Sequence, residues 1–271
     1  MSEILPKRPL AKTGMEISLL GLGTVKWGRN QNVKYPAFEL PDDATLHALL
    51  DVAETGGINL LDTAPAYGIA EQRVGEILQQ RPDSRFLIMT KTGEEFIDGK
   101  SHFHFDRKHT EASVHRSLRR LNVLSLDMVM IHCSPDDVSV INETAVLETL
   151  GRLRDQGLLR SIGVSTMTVA GGLRAVELVD AVMVPFSIGY RDHLPVIEKA
   201  KELNKAVLIK RALYSGPSVE KKLPLADHLR AVLEVAGVTS LVAGTINPTH
   251  LQENIDATLA AFHSLPPTCS V

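Results

Sequence analysis

A carboxylate, a phenol, an ammonium and an imidazole stand at comparable places along this chain: Asp62 with Tyr67, then Lys91, then His132. Asp62 ends the run Ile58-Asn59-Leu60-Leu61, which is bounded by Gly56-Gly57 and by a Pro/Gly turn and so predicts a short buried strand. Tyr67 follows in the next loop. The run Phe86-Leu87-Ile88-Met89-Thr90 ends on Lys91, and Leu126-Asp127-Met128-Val129-Met130-Ile131 ends on His132. A buried carboxylate needs a cation or several donors, and Lys91 is in a matching place to serve Asp62. If the three strands are parallel neighbours, all four groups converge at one mouth. A phenol near pKa ~10 is a poor acid at neutral pH, but an adjacent ammonium stabilises phenolate and lowers that value. Asp62 would hold Lys91, and His132 would direct a carbonyl oxygen toward Tyr67. Such a phenol can protonate an alkoxide as hydride reaches carbon. No side chain supplies hydride, so a nicotinamide cofactor is required. The chemistry is carbonyl reduction, or alcohol oxidation in reverse.

The elements that must position these groups read as a regular alternation. Strand patterns fall at residues 17–21, 58–61, 86–89, 126–131, 161–164, 181–184, 206–209 and 240–243. Amphipathic helix patterns follow at 42–55, 70–80, 110–121, 143–156, 169–178, 193–203, 225–235 and 249–262. Eight apolar strands alternating with helices predict an α/β fold with a parallel sheet covered on both faces. Closure into one (β/α)8 TIM barrel over residues 1–271 leaves no edge. A doubly wound sheet is the alternative, but Gly21-Leu22-Gly23-Thr24 lacks the third glycine of the dinucleotide fingerprint. Residues 8–18 read as an N-terminal β-hairpin on the barrel floor, turning at Lys12-Thr13-Gly14. Residues 26–41 form a long connection.

Composition narrows the function class. The 271 residues are 44% hydrophobic and 23% charged, ordinary for a globular protein. A net charge of −3 gives no basic field for nucleic acid. Cys133 and Cys269 are too few and too far apart for a disulfide framework or a zinc site. No run approaches the roughly 18 residues of a membrane span, and no leader pattern precedes the first strand. A cytoplasmic monomer or small homo-oligomer acting on a small molecule, without membrane or nucleic-acid partner, is the expectation. A metal hydrolase would need several ligands at strand ends, where only His132 qualifies, so no metal is expected. His102, His104 and His109 form a weak zinc signal in what reads as a loop or pocket-rim segment.

Asp62-x4-Tyr67, Met89-Thr90-Lys91 and Ile131-His132 resemble the Asp/Tyr/Lys/His tetrad of the aldo-keto reductase family. Further phrases carry the likeness along most of the chain: Gly21-Leu22-Gly23-Thr24, Ala70-Glu71-Gln72-Arg73-Val74-Gly75, Ser161-Ile162-Gly163-Val164-Ser165 and Gly244-Thr245-Ile246-Asn247-Pro248. The resemblance implies Tyr67 as general acid and NADP (NADPH) as donor, with NAD possible. It implies cofactor contacts from Gly23, Thr24, Asp62, Ser165, Gly244, Thr245, Asn247, Glu253 and Asn254, with Ser165 on the nicotinamide carboxamide.

Several positions depart from that pattern. Thr166 stands where asparagine is common and Met183 where glutamine is common. Lys210-Arg211-Ala212-Leu213 replaces an aromatic that stacks on the nicotinamide; Lys210 and Arg211 could instead meet the pyrophosphate. Gly244 and His250 occupy the two places where relatives carry basic residues for the 2′-phosphate, and His250 sits in the first turn of a helix whose N-terminus favours anions. Trp27, Phe103 and Phe105 are candidates for the substrate pocket, with a core role open for Trp27. Cys133 is either a redox-sensitive thiol or filler. Two other functions fit the same residues: a nucleotide-binding redox-sensing regulatory subunit of this fold, and a lyase with Lys91 as Schiff-base nucleophile.

Overall fold

The computed structural model describes residues 3–33, 37–212 and 223–266. The chain opens with β1 (Lys7–Pro9) and β2 (Glu16–Ser18), an antiparallel hairpin where residues 8–18 predict one. Leu10, Met15 and Ile17 from this hairpin are buried among barrel residues such as Leu60 and Met128, so the hairpin plugs the floor. The first barrel strand is β3 (Leu20–Gly23), later than the apolar run at 17–21 predicts. That run is shared by two elements. The Ser18 backbone N–H donates to Asn59 Oδ1 while its hydroxyl donates to the Leu20 carbonyl, turning the chain between them.

A single-turn helix, α1 (Val25–Gly28), precedes α2 (Asp43–Thr55), which Asp42 caps by accepting from Thr45 N. Then come β4 (Leu60–Asp62), a 3₁₀ turn at Pro65–Tyr67, α3 (Ala70–Gln79) and β5 (Leu87–Thr92). The next segment is not a loop. It forms a second antiparallel hairpin, β6 (Glu94–Ile97) with β7 (Lys100–Phe103), before α4 (Arg107–Leu121). β8 (Leu126–His132) leads into α5 (Asp137–Glu143) and α6 (Val146–Asp155), two helices where one pattern spans 143–156. Extended backbone at Thr144 separates them, and its hydroxyl bonds back to the Val140 carbonyl. β9 (Leu159–Ser165), α7 (Val169–Val176), β10 (Ala181–Pro185), α8 (Leu194–Glu202) and β11 (Ala206–Lys210) continue the alternation. α9 (Leu225–Leu233), β12 (Ser240–Ala243) and α10 (Pro248–His263) complete it.

Eight parallel strands close in the order β3-β4-β5-β8-β9-β10-β11-β12. Their two-residue period sorts side chains between two cores. Leu61, Ile88, Val129, Val182 and Val207 point outward to the helices. Leu60, Met89, Met130, Met183 and Leu208 point inward and fill the barrel. Each such fully buried side chain contributes roughly 1.5–3 kcal/mol. Two residues further along four of these strands, the same inward direction delivers Asp62, Lys91, His132 and Lys210. The barrel's packing thus sets the site above it. No described helix is long and apolar enough to cross a membrane.

Candidate active site

Asp62, the last residue of β4, and Lys91, near the end of β5, are both buried, and Lys91 Nζ is hydrogen-bonded to Asp62 Oδ1. The ammonium also donates to the Thr63 carbonyl at 3.0 Å. Burial alone pulls an ammonium's pKa down, but Asp62 and then Tyr67 more than offset it, so Lys91 is raised. Lys91 is therefore a fixed cation and not the amine a Schiff-base lyase needs. Its Nζ stands 4.6 Å from the centre of the Tyr67 ring.

Tyr67 is placed by its turn. Pro65 starts the 3₁₀ turn, and Gly68 beyond it has φ 64°, which favours glycine. A side chain on Gly28 would strike the Tyr67 carbonyl and Ala70 N, so α1 and this turn are in backbone contact. Arg29 donates to the Ala66 carbonyl at 3.0 Å and lies over the Phe96 ring at 3.5 Å, tying the turn to the β6–β7 hairpin. The Tyr67 phenol is pushed up to about 12, by burial first and by Asp62 next, with Lys91 pulling the other way. This corrects the expectation of a net lowering: the ammonium acts in the predicted direction, but desolvation of the phenolate is the larger effect.

The His132 ring meets Tyr67 edge-on, with centroids 6.3 Å apart. Its Nδ1 lies 2.8 Å from Glu94 Oε2, an ion-pair distance without the alignment of a straight hydrogen bond. Glu94 escapes sequence reading because only the β6–β7 hairpin, which that reading treats as loop, brings it under His132. Burial pushes the Glu94 carboxyl up, but His132, Ser101 and Arg29 outweigh this and hold it at about 2. Burial lowers His132, and Glu94 only partly opposes that.

Lys210 does not reach outward from the rim. Its Nζ donates to Ser165 Oγ at 3.0 Å and to the Thr166 carbonyl at 2.9 Å, across the barrel mouth. Burial, Arg211 and Lys91 bring its ammonium down to about 8. Among the described residues Lys210 makes no ion pair with a carboxylate, and the buried Thr166 hydroxyl has no partner. Across the seam, a Cβ on Gly244 would stand 3.3 Å from the Gly23 carbonyl. A spare cation, an orphaned hydroxyl and side-chain-free backbone beside the tetrad suit an anionic, hydrogen-bonding cofactor such as a nicotinamide dinucleotide.

Other candidates fall into place less simply. Thr24 spends its hydroxyl on the Asp62 carbonyl. Met183 fills the barrel interior, although its carbonyl accepts from Thr166 N. Arg211 is exposed with φ 62°. Asn247 caps α10 by accepting from Thr249 N and His250 N, and Pro248 has no N–H, so the donors expected to be open to an anion are already used. The His250 and Glu253 side chains are exposed there, while Thr245 and Asn254 are buried. Trp27 is fully buried in the core packed by the helices, the role left open for it, and does not form an open pocket wall. Phe105 lies over Gly93 and stacks with the exposed Phe103 at 6.2 Å. Burial drives the Cys133 thiol up to about 12, which suits filler and not a redox sensor. His104 and His109 are exposed and stacked at 4.5 Å, and no metal-binding group occurs among the described residues. Leu213 and residues 267–271 lie outside the described residues. A cleft of about 310 Å³ between α3 and α4, lined by residues such as Gln72 and Arg120, is away from all this chemistry.

A sequence profile of the Aldo/keto reductase family matches residues 19–231. The chain is similar to Aldo-keto reductase YhdN of Bacillus subtilis, 31% identical over 82% of this chain and 67% of that protein. D-threo-aldose 1-dehydrogenase of a Pseudomonas species is 27% identical over 63% of this chain and 56% of its own length. Among solved structures, a putative aldo-keto reductase from Pseudomonas aeruginosa superposes with a TM-score of 0.83 at 40% identity, covering 94% of this chain and 95% of its own.

Proposed function

Because this chain belongs to the Aldo/keto reductase family of oxidoreductases, we propose that it reduces aldehydes, ketones or sugar-like carbonyls to alcohols with NADPH, and NADH less readily. The observation that carries this reading is the buried Asp62–Lys91 pair, with its ammonium 4.6 Å from the Tyr67 ring centre and His132 against the same ring. The nicotinamide supplies hydride when bound. Tyr67 supplies the proton to the reacting oxygen. A phenol at about 12 keeps its proton at neutral pH. It is still a far stronger acid than water, at roughly 15.7, and so can protonate an alkoxide. Lys91 steadies the phenolate that remains, and Asp62 keeps Lys91 charged and in place. Ser165, Thr166 and Lys210 would hold the carboxamide and nearby phosphate, with Gly23, Gly244, Thr245, Asn247, Glu253 and Asn254 along the rest of the nucleotide. The enzyme names of the relatives support catalysis over the regulatory alternative.

Fluorescence titration with NADPH and NADH, followed by NADPH consumption with a panel of carbonyls, tests the proposal. Micromolar NADPH binding and turnover with at least one carbonyl class are expected. Tight binding with no turnover on any carbonyl would point to the regulatory reading, and no binding would remove both.

A further inference from the structure

Glu94 belongs to none of the groups that the sequence nominates, yet it is the closest charge to His132. Its Oε2 is 2.8 Å from Nδ1, while its Oε1 accepts from the Ser101 hydroxyl at 2.5 Å. Nδ1 is buried, which leaves Nε2 as the nitrogen that faces the mouth. The other charged and titratable groups around the pair are Tyr67 from the 3₁₀ turn, Lys91 from β5 and Lys210 from β11, with Arg29 on the far side of Glu94. Among the described residues no second carboxylate lies at ion-pair distance from His132.

A neutral imidazole has one proton to place. An Nδ1 lone pair held 2.8 Å from a carboxylate oxygen would be repelled, even off the axis of a straight hydrogen bond. We propose that Glu94 is a positioning residue that fixes the single proton of neutral His132 on Nδ1, so that Nε2 presents a lone pair to the ligand. In that form His132 accepts a hydrogen bond and recognises an O–H, as in an alcohol. Only after gaining a second proton does it present Nε2–H to a carbonyl oxygen. Glu94 thus ties the direction of the reaction to the charge of His132. Carbonyl binding is favoured at lower pH and alcohol binding at higher pH. Burial lowers His132, as do Lys91 and Lys210, while the ionised Glu94 carboxylate pulls the other way.

This inference rests on the carbonyl reductase reading for its kinetic consequence but not for its structural one. Nitrogen NMR of ¹⁵N-histidine-labelled wild-type protein at pH 8, with His132 assigned by its loss in His132→Gln, reads the tautomer without turnover. A protonated Nδ1 and an unprotonated Nε2 are expected. Glu94→Gln, whose amide can donate to Nδ1, should move the proton to Nε2. In kinetics, the wild-type KM for a carbonyl should rise between pH 6 and 8 by about tenfold or more, and that rise should flatten in Glu94→Gln, with the change in KM exceeding that in kcat. A wild-type Nε2–H tautomer at pH 8, or a tautomer unmoved by Glu94→Gln, overturns the proposal. Absence of any turnover would defeat the reductase reading while the NMR result stood.

Discussion

The Lys91 ammonium sits over the Tyr67 ring, 4.6 Å from its centre, and is held there from behind by Asp62. Both members of this pair are buried, and Asp62 supplies the carboxylate that balances the Lys91 charge. Lys91→Met strands the Asp62 carboxylate, and breaking a buried pair in this way destabilises by roughly 3–5 kcal/mol. Asp62→Asn combined with Lys91→Met should recover most of that loss, since no charge is left unpaired. Urea unfolding of both variants measures it. A single-variant loss below about 1 kcal/mol, the size of an exposed pair, would show that the two are not coupled as described.

Backbone contact between Gly28 and the Tyr67 turn predicts an effect that removes no charge. A Cβ on Gly28 would stand 2.5 Å from the Tyr67 carbonyl oxygen. Gly28→Ala should destabilise by about 1–3 kcal/mol and displace the phenol, lowering turnover at least about tenfold. Gly151→Ala in α6, where a Cβ meets nothing within 4 Å, should instead stabilise by roughly 0.5–1 kcal/mol. Equal effects at both positions would contradict the close approach.

The Glu94 carboxyl also makes a prediction for acid. Its folded pKa, about 2, lies below the ordinary 4.5. A depressed carboxylate contributes stability above its unfolded value, and that contribution is lost as pH falls through the folded one. The stability difference between wild type and Glu94→Gln should therefore be greatest near pH 6, shrink below about pH 4.5 and vanish near pH 2. A difference that stays constant from pH 6 to pH 3 would place Glu94 outside the ion pair.

We propose that nucleotide preference turns on His250, an exposed side chain in the first turn of α10. With Asn247 occupying the first backbone donors, the imidazole is the group of this turn offered to a 2′-phosphate, with Lys210 or Arg211 as the alternative. An arginine there would meet the phosphate with a planar, bidentate fork that an imidazole lacks. His250→Arg should raise the preference for NADPH over NADH about tenfold, roughly 1.4 kcal/mol. Dissociation constants for both nucleotides decide it. A ratio unmoved by arginine would take His250 out of the site.

The tetrad was legible because strand period and barrel closure are both written in the sequence. Inward residues Leu60, Met89 and Met130 are apolar, and the next inward positions are Asp62, Lys91 and His132. What hid Glu94 was the hairpin that carries it. Lys100-Ser101-His102-Phe103 is exposed throughout, so it has no hydrophobic alternation to announce a strand. For Lys210 the sequence offers a contact to the pyrophosphate just past the seventh strand but not the partners that hold it. Strand period turns it inward, where its ammonium donates to Ser165 Oγ and to the Thr166 carbonyl. The boundary near Ser18 is hidden for another reason, since a continuous apolar run masks a turn that side-chain hydrogen bonds create.

Removing the Tyr67 hydroxyl alone tests the central claim most directly. In Tyr67→Phe the ring remains over Lys91 and beside His132, so NADPH should bind with a dissociation constant close to that of wild type. With its proton donor gone, kcat/KM for carbonyl reduction should fall by ~10²–10⁴-fold. Turnover within about tenfold of wild type, at unchanged NADPH affinity, would mean that the proton comes from elsewhere and that Tyr67 is not the acid.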